Sequence, residues 1–348
     1  MRRGLMGRDE RELPIAVLQA RLSRLRNAMS GAGFDGFVLY TNNTRPSAVA
    51  WATGFTPYWS DALLLIGRDG APTFATALSK RVSEWIRTTD PVSEIANTPK
   101  PGALIGERLA KAGVKRAGVL ELDALPAGLA DELSTAAPKV EWADGTAVFA
   151  GLRREIDETE RKLLARADAI AATALNEAGP ANDAGALAGL IEKHARLAGA
   201  EEAYIAIAPD LAADRRLNRT SQPTPLAACH AVRASISYKG CWVRRTRTFG
   251  GPDQANAWFA NLVRSLEPGT PLGTQLMARV TELTGATLRS WVAESCTGSY
   301  PLSAVASSRA GGQDALRSGQ FLVLTVELSV DGAPWIGAAP LIVGQQRL

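Results

Sequence analysis

Apolar residues recur at helical spacing near the start of the chain, at Ile15, Leu18, Leu22, Leu25 and Met29, until Gly31 and Gly33 stop the pattern. This predicts an amphipathic helix over 14–33. Short apolar runs follow at GFVLYT, ALLLIG and PTFAT, which read as strands, with a helix at KRVSEWIRT. The segment GALIGERLAKAGVKRAGVLELD then reads as helix followed by strand, and the alternation predicts an α/β sandwich. From residue 151 the pattern changes to two long Ala/Leu-rich helices, Glu155 to Ala178 and Ala184 to Ala198. A helix from Gln254 to Leu266, another through Met277, and strands at LRSWVAES, QFLVLTVELSV and PLIVG complete the chain. The change of pattern divides the chain into 1–150 and 151–348.

Between the helix Ala184 to Ala198 and the helix Gln254 to Leu266 lies RASISYKGCWVRRTRTFG. The runs AVRASIS and CWVRRTRTF flank Tyr238-Lys239-Gly240 and read as the strands of a hairpin. A loop centred on Tyr238 and Lys239 sets Arg233 opposite Arg244. Two guanidiniums facing each other across a ladder repel by roughly several tenths of a kcal/mol, and burying them unpaired costs more. An anion is expected between them.

The same stretch resembles the metal-binding hairpin of the creatinase, prolidase and aminopeptidase P family, the "pita-bread" peptidases. Tyr238, Gly240, Thr246, Arg247, Thr248 and Phe249 fall on that family's frame D-x-G-x-x-Y-x-G-Y-x-x-D-x-T-R-T-F, and Arg233 and Arg244 occupy its two aspartate positions. The H-x-x-G segment is matched by ESCTGSYPL, with Ser295 at the histidine position. SGQFLVLTVELS supplies Glu327 at the first glutamate position, and WIGAAPLIV places Ala338 at the last. Of the five ligands that the resemblance implies, Glu327 alone remains. Fixed positive charges at two of the others oppose divalent cations. The expectation is a chain with no metal and no cofactor.

The resemblance extends to both halves. DGFVLYTNNTRPSAVAWATGFTPYWSDALLLIGRDGAPTF is similar to the N-terminal domain of creatinase-type proteins, and LRREIDETERKLLARADAIAATALNEA to the helix opening their catalytic domain. It implies an α/β (α+β) chain, with a creatinase-like N-terminal α/β domain followed by a pita-bread antiparallel-sheet C-terminal domain. It also implies a homodimer, to which the Trp-bearing segment AVAWATGFTPYWSD is a candidate contributor.

Composition fits two globular domains: 348 residues, 46% hydrophobic and 21% charged. No apolar run reaches the roughly 20 residues that span a bilayer, and MRRGLMGRDERELP has no apolar stretch after its charges, so a membrane or secretory fate is not expected and the cytoplasm is. The net charge of +4 is spread along the chain without a basic stripe or an aromatic pair, which argues against nucleic acid. Cys229, Cys241 and Cys296 are too few and too unevenly spaced for a disulfide framework or zinc knuckle. His194 and His230 are the only histidines, and neither is a site candidate.

Candidate chemistry therefore concentrates on few side chains. Arg233 and Arg244 would bind a carboxylate or stabilise developing negative charge, and Glu327 would be nucleophile or general base. Glu327 also reads as the carboxylate that neutralises one arginine, leaving about one unit of positive charge. Arg216 and Arg219, in a loop where the resemblance places a histidine in metal-free relatives, together with Tyr238, Ser295 and Cys296, are candidate substrate-binding groups. Asp214, Tyr238 and Cys296 are reserves for proton transfer. Two functions stay open: a metal-independent enzyme acting on a small anionic or zwitterionic substrate, by C–N (amide or amidine) hydrolysis or a related reaction, or a non-catalytic pseudo-peptidase binding a peptide or small anion.

Overall fold

A computed structural model describes residues 7–56, 60–179, 181–309 and 315–345. Pro57 to Trp59 of the segment considered above for self-association lie outside the described residues. The chain divides into two units, one of Met1–Arg154 with Cys296–Pro301 and the other of Glu155–Ser295 with Leu302–Leu348.

In the first unit the apolar run Gly36–Thr41 forms β1, buried at every position because helices cover both sheet faces. Phe37 and Leu39 join a core with residues of α1 (Ile15–Gly31) and α2 (Ser47–Thr53), while Val38 and Tyr40 join another with residues of later helices. Around β1 stand β2 (Ala62–Gly67), β3 (Thr73–Thr76), α3 (Ser83–Thr89), β4 (Glu94–Asn97), α4 (Pro101–Lys111), β5 (Arg116–Val119), α5 (Ala127–Ala136), β6 (Glu141–Asp144) and α6 (Thr146–Arg153). The six-stranded sheet runs β4-β3-β2-β1-β5-β6, antiparallel in its β1–β2–β3 meander and parallel at the other pairs. Segment Cys296–Pro301 belongs to this unit: Arg153 Nε donates to the Cys296 carbonyl at 3.1 Å, and Ser299 N donates to Glu121 Oε1 at 3.0 Å.

The second unit opens with α7 (Glu158–Glu177) and α8 (Ala184–Leu197). Each starts at an aspartate, Asp157 or Asp183, whose carboxylate accepts from the amide three residues on. There follow β7 (Glu202–Ala208), β8 (His230–Tyr238), β9 (Cys241–Phe249), α9 (Asp253–Ser265), α10 (Leu272–Val280), β10 (Ala286–Ser295), β11 (Ser303–Ser307), β12 (Phe321–Val330) and β13 (Ala333–Ile342). Its seven-stranded sheet is antiparallel throughout, in the order β11-β10-β12-β13-β9-β8-β7. One face is roofed by helices. Leu322, Leu324, Val326 and Leu328 of β12 pack with Trp291 and with Phe259 and Leu276 of α9 and α10. Alternation turns Val323, Thr325 and Glu327 to the opposite, inner face.

The two halves of this sheet join with little backbone ladder, the Thr248 hydroxyl supplementing it by donating to the Ile336 carbonyl and accepting from the Ile336 amide. Ala338↔Thr246 is the only registered pair between β13 and β9, whereas β8 and β9 pair over their whole length. Pro340, two residues beyond that pair, has no amide hydrogen to extend the ladder. No helix among the described residues is long and apolar enough to cross a membrane.

One buried acid carries a pH signature. Asp90, which follows α3, is 1% exposed; its Oδ1 accepts from Val92 N and Ser93 N, and its Oδ2 has no hydrogen-bond partner among the described residues. Burial pushes its carboxyl up to about 6, against the opposing hydrogen bonds from Ser93 and Val92. The folded state thus holds the proton more tightly than the unfolded chain. Stability from this group is full below about pH 4 and lost as pH rises through about 6. Asp90→Asn keeps the accepting oxygen and removes the charge, so it is expected to raise stability at pH 7.5 by about 1–3 kcal/mol and to change little near pH 4. Thermal unfolding at the two pH values checks this, and equal effects at both would contradict it.

Candidate active site

The hairpin forms because Lys239 and Gly240 accept left-handed backbone, φ 48° and 75°, giving a two-residue turn closed by the pair Tyr238↔Cys241. The buried carboxylate of Glu201 holds that turn, accepting from the amides of Lys239 and Gly240. The loop is therefore centred on Lys239-Gly240, one residue later than the sequence suggests. This shifts the register: Arg233 pairs with Thr246, and Arg244 with Ser235. The arginines are diagonal neighbours on the inner face, not opposite each other. Arg233 Nε donates to Thr246 Oγ1 and Arg244 Nε to Ser235 Oγ, each at 3.2 Å.

The expected excess of positive charge is also corrected. Arg244 forms an ion pair with Glu294 of β10, the two side chains being 23% and 12% exposed. Along β10, Trp291 and Ala293 enter the helix-side core, so alternation aims Glu294 inward. Its neighbour Ser295, the candidate, is buried and donates to the Phe321 carbonyl at 2.8 Å, which commits its hydroxyl to the backbone. Position matching pointed to Ser295. The signal for Glu294 was the alternation in WVAES. With Glu327 on the same face, two carboxylates stand against Arg233 and Arg244, and the formal charge of these four groups is balanced.

Balance in number is not balance in contact. Arg233 makes no ion pair among the described residues and is pushed down to about 10, first by burial and then by the charge of Arg244, with Glu294 and Glu327 acting the other way. It stays charged at neutral pH. Register carries the row Arg233, Thr246, Ala338, Thr325 across the sheet, and Thr325 Oγ1 is buried without a hydrogen-bond partner among the described residues. Glu327 lies two residues further along the same face of β12. Arg233, Thr325 and Glu327 are thus polar groups on one face whose bonding capacity the protein leaves unfilled.

The other candidates fall elsewhere. Tyr238 closes the hairpin on the helix-covered face, with Arg166 of α7 5.9 Å from its ring centre, because its parity along β8 is opposite to that of Arg233. Arg216 is exposed and forms an ion pair with Asp214 at 2.9 Å, a neighbour-to-neighbour contact that holds both acid and base in the loop. The Arg216 hydrogen bonds keep the Asp214 carboxyl below its ordinary range, which does not suit a proton-transfer reserve. Arg219 does reach the inner face, lying 5.1 Å over Tyr204, which itself stacks on Trp242. Cys296 is a buried thiol of the first unit.

The fold's expected cations can be tested against this donor set. Two guanidiniums, an alanine and a backbone-bonded serine stand at four of the five ligand positions, and Glu294 is tied to Arg244. Among the described residues no cluster of three or more His, Cys, Asp or Glu could hold an ion. These residues do not fit a dinuclear metal centre.

Comparison with known proteins agrees with the architecture. Residues 21–154 match the creatinase/prolidase N-terminal domain. No curated protein matches the chain in sequence. A prolidase from Pyrococcus horikoshii OT3 superposes with a TM-score of 0.70 at 17% identity, covering 94% of this chain and 97% of that one. An X-Pro aminopeptidase from Thermotoga maritima MSB8 gives 0.71 at 14% identity, covering 94% and 95%. The dipeptidase PepE from Mycobacterium ulcerans gives 0.63 at 18% identity, covering 96% and 95%. At such identities the likeness shows the fold. The chain thus carries a creatinase/prolidase N-terminal domain over residues 21–154 and, over nearly its whole length, the fold of prolidases and X-Pro aminopeptidases.

Proposed function

We propose that this chain is a metal-independent enzyme of the pita-bread fold that binds a small zwitterionic or anionic substrate on its inner arginine face and hydrolyses a C–N bond of the amide or amidine type. One observation carries the reading: Arg233, Thr325 and Glu327 share a face, on which the Arg233 guanidinium is desolvated and Thr325 Oγ1 is buried without a hydrogen-bond partner among the described residues. Closed structural clusters do not leave a desolvated guanidinium and a buried hydroxyl unfilled. A carboxylate placed at Arg233 gains charge-assisted hydrogen bonds, and a cationic or N–H group suits Glu327.

In that arrangement Glu327 takes a proton from water as the water oxygen bonds to the substrate carbon. The negative charge that develops on the substrate is held by Arg233. The C–N bond then breaks, and the proton passes from Glu327 to the departing nitrogen. Arg244, closed by Glu294, positions the face without binding substrate directly. Structural relatives described as prolidases and dipeptidases lend the reaction class by fold alone. That closure also supports a second reading, in which the chain binds a peptide or small anion without turnover: Glu327 is then the one carboxylate of the face free to act.

The asymmetry between the arginines is directly testable. Arg233→Met removes a desolvated charge that makes no ion pair among the described residues, giving up only its hydrogen bond to Thr246, and is expected to raise the melting temperature by roughly 2–4 °C. Arg244→Met strands Glu294 and is expected to cost about 1–3 kcal/mol, recovered by adding Glu294→Leu. Thermal unfolding of the three variants decides, and destabilisation by Arg233→Met would show that this arginine is a structural partner.

Ligand and turnover are separated by a second measurement. Amino-acid derivatives and small zwitterions are screened by thermal shift, and the hits are followed by mass spectrometry. Glu327→Gln should keep binding within about tenfold and reduce turnover by about 10²-fold or more. Hits that shift the wild type but are never converted would establish the binding reading instead. A wild type that no anion or zwitterion stabilises would remove both.

A further inference from the structure

On the helix-covered side of the same unit, above the weak join of β9 and β13, lies a cleft of about 580 Å³ between α7 and α9. Its existence follows from sequence. Alanines at 165, 169 and 172 of α7 and at 260 of α9 line it where larger side chains would fill the gap. Its inner wall is apolar, with Leu175, Phe259, Trp335 and Leu341 all buried.

The charge of the cleft is one-sided. Arg245 is neutralised by a two-pronged contact with Asp168. Arg247 and Arg264 have no carboxylate partner among the described residues: Arg247 donates to the amide oxygen of Asn176 at 2.8 Å, and Arg264 to that of Asn261 at 2.7 Å. Neutral amides steady these guanidiniums and leave their charge and remaining donors unmatched. An apolar floor, two uncompensated cations and a volume within the usual range for small ligands describe a site for an amphipathic anion.

The geometry points to a second binding site in this cleft, for a small amphipathic monoanion whose apolar body lies against Phe259 and Leu175 and whose acid group meets Arg247 and Arg264. It is separate from the arginine face, since residues 245 and 247 point to the opposite side of the sheet from Arg244 and Thr246.

Two probes test it: 8-anilinonaphthalene-1-sulfonate followed by fluorescence, and decanoate as its competitor. The expected result is saturable binding of the sulfonate at one site per chain, displaced by decanoate. Arg247→Gln with Arg264→Gln should weaken it by about tenfold or more. Ala260→Trp, which fills the cleft and leaves the charges, should block it, while Arg233→Met leaves it unchanged. Circular dichroism checks that each variant is folded, and if the double glutamine variant is not, Ala169→Leu with Ala260→Leu takes its place as a second filling test. Binding indifferent to the arginine changes would overturn the anion assignment. Binding indifferent to filling, lost in Arg233→Met, or absent for both probes would overturn the site.

Discussion

Two guanidiniums on one inner sheet face must find negative charge, and the way the sheet meets that demand organises the second unit. Arg244 finds it in Glu294, reaching from β9 to β10 across the join where Pro340 ends the ladder. Arg233, one register step away, reaches only the hydroxyl of Thr246. Equal numbers of acids and bases therefore produce one closed pair and one open cation.

The weak join between β9 and β13 has consequences on both sides of the sheet. On the inner side Arg244 of β9 and Glu294 of β10 meet across it. On the outer side it separates α7, packed on β8 and β9, from α9, packed on β13, and small residues keep the gap open. A family of metal enzymes needs carboxylates converging at the middle of such a sheet. Here the inner face carries Arg233 and Arg244, the second paired with Glu294.

Much of this was legible in the chain. The apolar runs located β1, β2 and β3, and the turn chemistry of Lys239-Gly240 located the hairpin. Its centre lies one residue later than the run suggests, which moves the register by two and turns a face-to-face pair into a diagonal one. The strand Ala333–Ile342 is legible only in its last part, because Gly337 and Pro340 are punctuation in sequence, although both pair within the ladder to β12 and leave only the β9 side short of a ladder. Glu294 and Thr325 were not legible by matching ligand positions, since neither is one; only their place in the alternation betrays them. Glu201 and the Tyr204–Trp242 stack depend on β7, whose short run EAYIAIA was not singled out.

The replacement of metal by fixed cations is the central claim, and metal content measures it most directly. Purified protein is exposed to excess Mn, Co or Zn, dialysed, and analysed by elemental mass spectrometry. With Arg233 and Arg244 at the former ligand positions, far less than stoichiometric metal should remain. Near-stoichiometric metal that is lost in Glu327→Gln would place a cation on the arginine face and contradict the account.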